Sequence, residues 1–296
     1  VTLGKVAINV LSNCFTTRKG ENGEKEMAKF NESRAYGVEI EIRGFQIRRD
    51  GIQYPIGRNQ IARWLNNING IDCQSRDYTH DTTSYWKVVS DATCGWEIVS
   101  PKLYGHDGLD QIRKVVNKLK AHGAVIDSRC GLHVHHDAAD LTPNAFVSVG
   151  MIYQRLQSSI DNLFIKRERL SNPFCRPIRI GLLTHLKKYA AQGFTNRQSV
   201  SEAGYRYGRY YTVNYLSFLR HGSIEFRQSH ATLNYEELNA WVVFTQLIVN
   251  KAKDVDDASA GSFVNTRSPA SRGFYRHTNP LKTIRNDFPN GGMDWL

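Results

Sequence analysis

Hydrophobic and polar residues alternate in four short stretches of this chain, and a period of two marks a half-buried β-strand. In Tyr36-Gly37-Val38-Glu39-Ile40-Glu41-Ile42 the apolar set is Val38, Ile40 and Ile42, while the second face carries two glutamates. Trp96-Glu97-Ile98-Val99-Ser100-Pro101 sets Trp96 and Ile98 against Glu97, and Pro101 should end the pairing. Gly131-Leu132-His133-Val134-His135-His136-Asp137 sets Leu132 and Val134 against His133 and His135. Ser223-Ile224-Glu225-Phe226-Arg227 sets Ile224 and Phe226 against Glu225 and Arg227. Residues 85–89 and 213–216 read as two further strands.

Helical periodicity fills the gaps. Ile61, Trp64, Leu65 and Ile68 suit a short amphipathic helix. Asp107 is expected to cap a helix running to about Ala121, with Leu109, Ile112, Val116 and Leu119 as its stripe and Gly123 as its stop. Thr142-Pro143 opens a long helix whose apolar side runs from Phe146 to Leu163, closed by the basic run Lys166-Arg167-Glu168-Arg169. Asn234-Tyr235-Glu236-Glu237 is a capping-box start for a helix to about Lys251. Residues 171–203 read as irregular or short-helical, and Thr16 to Lys29 as a loop or arm. The partition is an arm over 1–33, a folded domain over 34–253 and a basic extension over 254–296. That extension is rich in Ser, Gly, Asn and Arg, which suits a tail.

Composition narrows the class. Hydrophobic residues are 41% and charged residues 23% of 296, the balance of a soluble globular chain with a sizeable core. No apolar run approaches the ~20 residues that span a bilayer, so no membrane partner is expected. Val1 to Val6 has no signal-peptide layout, and the expected location is the cytoplasm. A net charge of +11 favours anionic partners: nucleotide phosphates, an acidic substrate or nucleic acid. Five cysteines without a C-x-x-C pair argue against a disulfide framework and a four-cysteine zinc site.

If the four polar-faced strands join one sheet, Glu39, Glu41, Glu97 and Glu225 converge with His133 and His135 on one surface. Carboxylates with imidazole suit Mg²⁺ or Mn²⁺. The planar fork of Arg227 matches a γ-phosphate, and the combination suits phosphoryl transfer. No Walker-A sequence and no G-x-G-x-x-G occurs, so an ATP site must be of another kind. Gly204 to Tyr211 is glycine-punctuated, aromatic and basic, as a loop over an anionic ligand would be, with Arg209 as its phosphate contact. The same composition suits a stacking platform for nucleic acid. The bland alternative is a sheet with one solvated face, but such a face uses Thr, Lys and Ser freely. A zinc site on His133, His135 and His136 beside Cys130, or a Cys130 or Cys175 nucleophile, are further alternatives.

The ordered set G-V-E-I-E, D-x-T, W-E-I-V-S-P, C-G-L-H-V-H, N-Y-L and S-I-E-F-R resembles the putative amidoligase family over about residues 36–250. That family belongs to the carboxylate–amine ligases that share the glutamine synthetase and glutamate–cysteine ligase fold. The resemblance implies an α+β fold: a curved antiparallel sheet with helices on its convex face, as in a glutamine synthetase catalytic domain. It implies an ATP-dependent ligase that phosphorylates a small-molecule or peptide carboxylate and lets an amine displace the phosphate. Glu39, His133 or His135, and Glu225 would hold the metal nearer the γ-phosphate, and Glu41 and Glu97 the other. Arg227 would contact the transferred phosphate, Asp91 would face the amine, and Arg169 and Asn214 would lie near the nucleotide. Thr93 and Phe174 depart from the family pattern, where serine and tyrosine are usual. The rival reading is a basic, non-catalytic assembly or nucleic-acid-binding protein on the same scaffold, and either reading accommodates a homo-oligomer or larger assembly.

Overall fold

A computed structural model describes residues 16–19, 25–27, 29–46, 48–49, 52–191 and 208–256. Seven strands, β1 (Tyr36–Ile42), β2 (Cys73–Ser75), β3 (Trp86–Asp91), β4 (Gly95–Val99), β5 (Leu132–Asp137), β6 (Val213–Asn214) and β7 (Ser223–Phe226), form one sheet in the order β6-β7-β5-β1-β4-β3-β2. Neighbours are antiparallel except β2 and β3, which run parallel at one edge. The four polar-faced strands therefore sit side by side. Their register sets His133 opposite Glu39, His135 opposite Glu225 and Glu41 opposite Glu97.

The packing of the other face enforces that register. Val38, Ile40, Ile42, Val88, Ile98, Leu132, Val134, Ile224 and Phe226 are at most 1% exposed. They share one core with the stripes of α2 (Gly105–Ala121), α3 (Pro143–Leu163) and α6 (Tyr235–Asp256). Burying each such side chain is worth about 1.5–3 kcal/mol. A one-residue slip would drive glutamates into this core and expose the apolar set.

Helix ends show where local chemistry matched the pattern. Thr142 accepts a hydrogen bond from the Ala145 amide at 3.3 Å, with Pro143 as the first residue of α3. Asn234 accepts from the Glu236 amide at 3.0 Å, but Glu237 takes the Thr232 hydroxyl at 2.7 Å instead of closing a capping box. Asp107 is not the cap of α2. The helix begins at Gly105 behind an extended Tyr104, and Asp107 lies in its first turn, where a negative charge suits the helix dipole. Gly123, at φ 75°, follows the helix end as expected.

The short-helical part of the stretch 171–203 is α4 (Ile180–Ala191), with Leu182, Leu183 and Leu186 buried. Other expectations are corrected. Thr16–Lys19 and Lys25–Met27 pair as an antiparallel ribbon where a loop was expected. The strand expected over 213–216 stops at Asn214, because Ser217–His221 turns into a short helix, α5. The last helix runs to Asp256, past Lys251. Residues 1–15, 192–207 and 257–296, including the tail and Gly204 to Tyr207, lie outside the described residues. A short helix, α1 (Arg58–Asn66), packs behind β2 and β3. Among the described residues no helix is long and apolar enough to cross a membrane. Cys73, Cys94, Cys130 and Cys175 are buried free thiols.

Candidate active site

The polar face of the central strands forms the floor of a hollow lined by Glu39, Glu41, Glu97, His133, His135 and Arg227, among others. His133 is its pivot. Its Nδ1 lies 3.0 Å from Glu39 Oε2 and 3.6 Å from Glu225 Oε1, and its Nε2 lies 3.6 Å from Glu41 Oε1. Two ligand sets result, Glu39–His133–Glu225 and Glu41–Glu97–His133, each with donor atoms within 4.8 Å of one another. His135 sits beside the first set, its Nε2 3.2 Å from Glu39 Oε1. Its Nδ1 lies 3.1 and 3.0 Å from the hydroxyls of Ser217 and Ser223, which fix the ring.

Supporting groups hold the carboxylates in place. Asn214 donates to Glu225 Oε2 at 2.6 Å and accepts from the Leu216 amide at 3.0 Å, so its side-chain amide orients Glu225. The Gly131 amide donates to Glu41 Oε2 at 2.5 Å. Asp91 lines the rim of the hollow, where its Oδ1 accepts from the Thr93 amide (2.7 Å), the Thr93 hydroxyl (2.5 Å) and the Cys94 amide (3.0 Å).

The charges are unequal. Burial pushes the Glu39 carboxyl up, but charged His135 and hydrogen bonds from His133 and His135 outweigh it and hold Glu39 well below the usual range. Burial likewise raises Glu225, and Arg227 and His135 more than reverse it. Glu97 has no such partner. Burial and repulsion from Glu39, Glu41, Asp91 and Glu225 push it well above the carboxylate range. Burial lowers His135, and the carboxylates of Glu39 and Glu225 raise it above its ordinary value. Repulsion among the carboxylates thus falls on Glu97, and a hard divalent ion with oxygen and imidazole ligands would relieve it. His136 belongs elsewhere: it is fully buried on the core face, 2.8 Å from the Thr245 hydroxyl, so the zinc set that included it does not form.

Arginines line one flank. Arg227 pairs with Glu225. Arg169 is 4% exposed, and its guanidinium donates to the carbonyls of Arg227 (3.2 Å) and Gln228 (3.4 Å). It has no carboxylate partner among the described residues. Arg209 lies over the Tyr210 ring at 5.2 Å, with Phe174 against the same ring at 5.3 Å.

The opposite flank holds a residue that the alternation did not single out. Lys87 on β3 is 2% exposed, lines the hollow, and donates to the carbonyls of Asp81 (2.5 Å) and Thr79 (3.2 Å). Those carbonyls belong to a loop, residues 78–82, that lines the hollow as well, and Thr82 reaches across to His221 at 3.2 Å. In the sequence Lys87 stands between Trp86 and Val88, on the face the site uses, but Val89 on that same face blurs the pattern.

A family model described as "putative amidoligase enzyme" matches residues 32–249. No curated protein matches the chain.

Proposed function

The chain belongs to the putative amidoligase enzyme family, and on that premise we propose that it is an ATP-dependent carboxylate–amine ligase working through an acyl-phosphate. The observation that carries this reading is the pair of carboxylate–imidazole sets sharing His133, with Arg227 beside them. Glu39, His133 and Glu225 would hold one Mg²⁺ or Mn²⁺, and Glu41 and Glu97 a second. When bound, such ions neutralise phosphate charge and polarise its oxygens.

The chain's own groups do the rest. Arg227 presents its fork to the transferred phosphate, and the buried Arg169 beside it awaits an anion, since a buried guanidinium without a counter-charge is otherwise costly. Asn214 fixes the Glu225 carboxylate, and Ser217 and Ser223 fix the His135 ring, so both groups are held in position before ligands arrive. The γ-phosphoryl group passes from ATP to a carboxylate oxygen and ADP leaves. An amine nitrogen then attacks the acyl carbon, loses a proton, and inorganic phosphate departs. A glutamine synthetase-type arrangement of sheet and helices belongs to this proposal, and so does Asp91 as the group nearest the amine.

The test is ADP release by the Mg²⁺-replete protein against panels of carboxylates and amines. Release that depends on both partners is expected. Protein that binds no ATP under these conditions would overturn the reading.

A further inference from the structure

One row of side chains crosses five strands of the sheet. Arg227 follows the Phe226–Val134 pair and so falls beside His133; His133 pairs with Glu39, Glu39 with Val99, and Val99 with Lys87. The row runs from a cation through imidazole and carboxylate to a second cation. Its ends lie four strand spacings apart, roughly 19 Å between backbones. Both end residues are long, and both line the same hollow.

Lys87 is not an ordinary surface lysine. It is 2% exposed, and although Glu39, Glu97 and Asp81 act on its charge, none of them forms an ion pair with it among the described residues. Two of its three ammonium protons are taken by the Asp81 and Thr79 carbonyls. The third has no acceptor among the described residues. A buried ammonium with an unused proton beside the hollow is a poised anion contact. Phosphate donors already crowd the Arg227 flank, where Arg169 and Arg209 also stand. The anion left for the Lys87 flank is the one that receives the phosphoryl group.

We propose that Lys87 binds the carboxylate that is activated, holding the acyl group on the β3 side of the metal-type ligands while Arg227 holds the transferred phosphate on the β7 side. The idea rests on the ligase reading. Contact with substrate makes Lys87 a catalytic residue, and the Thr79 and Asp81 carbonyls serve to aim it.

The probe is acetyl phosphate, the smallest acyl phosphate, titrated calorimetrically into the full chain with Mg²⁺ and ADP, beside a parallel titration of Mg²⁺ and AMPPNP. Lys87→Met should weaken acetyl phosphate binding by about tenfold or more, as loss of a charge-assisted hydrogen bond does. AMPPNP binding should be unchanged, and Lys87→Arg should recover much of the loss. In the wild-type protein, [15N]lysine spectra should show the Lys87 ammonium signal move with acetyl phosphate and not with AMPPNP, which keeps the test independent of how the variants fold. Equal acetyl phosphate affinity in wild type and Lys87→Met overturns the proposal, as does a parallel loss of AMPPNP binding, which would assign Lys87 to the nucleotide. Wild type that binds AMPPNP but not acetyl phosphate overturns the proposal and leaves the ligase reading standing. Wild type that binds neither overturns both.

Discussion

His133 and Glu39 are direct cross-strand partners, and the imidazole Nδ1 lies 3.0 Å from the carboxylate while the far nitrogen of the same ring points at Glu41. One ring therefore borders both ligand sets, but a neutral imidazole has a single lone pair and ligates at one of them. His133→Ala should weaken divalent-ion binding by at least about tenfold at the Glu39–Glu225 set, where it removes a ligand, and by less beside Glu41 and Glu97. Glu97→Gln should reverse that order. Mn²⁺ titration followed by electron paramagnetic resonance separates the two, and an identical pattern of losses in both variants would contradict the assignment.

Glu97 gives a pH prediction. Its folded pKa is raised, so in the metal-free protein it holds its proton more tightly than in the unfolded chain. As pH rises from the unfolded value of about 4.3 through the raised folded value, this group makes the fold progressively less stable. Glu97→Gln removes that penalty. In EDTA at pH 8 the variant should melt above wild type, by about 2–4 °C for each kcal/mol of repulsion removed. The advantage should vanish by about pH 4, where Glu97 is protonated in both states. A constant difference across that range would contradict the assignment.

Gly131 leaves room for the Arg169 guanidinium beside His133. A Cβ there would fall 2.3 Å from an Arg169 guanidinium nitrogen and 3.1 Å from His133 Nε2. The nearer obstacle is the tip of a flexible side chain, so Gly131→Ala should swing Arg169 aside with a stability loss of only about 1 kcal/mol. AMPPNP affinity should fall by more than the melting temperature suggests. An unchanged affinity would remove Arg169 from the anion site.

Gly150 on α3 is different, because the atoms a Cβ would strike are packed. They are the Tyr215 hydroxyl at 2.5 Å and a Leu183 methyl at 2.6 Å, and that hydroxyl already donates to the Phe146 carbonyl at 2.9 Å. Gly150→Ala should cost about 1–3 kcal/mol by overpacking, read as a lower denaturant midpoint with an unchanged slope.

Which faces of β1, β4, β5 and β7 carry the polar side chains was readable from alternation alone, because four strands repeated one device with large apolar residues opposite Glu, His or Arg. Their neighbourhood was not readable. Strand order depends on which edges meet, and no local pattern states that β7 lies beside β5 or that β2 runs parallel to β3. Lys87 escaped because Val89, on its own face, is buried beneath the site and breaks the alternation. The resemblance sets Asn214 near the nucleotide, and its hold on Glu225 became visible only in the amide contact itself. Helix α4 was obscured because its buried Leu182, Leu183 and Leu186 sit among basic and polar residues with no capping signal. Asp107 looked like a cap by composition, but the turn at Gly105, with φ 52°, starts the helix behind Tyr104, three residues before that cap would have placed it.

Where cations settle decides whether this chain is a metal-dependent ligase. Crystals soaked with Mn²⁺ and AMPPNP, measured for anomalous scattering, should show one peak among Glu39, His133 and Glu225 and a second beside Glu41 and Glu97, with the γ-phosphate turned towards Arg227. Peaks on other residues, or a nucleotide bound away from this hollow, would contradict the ligase reading.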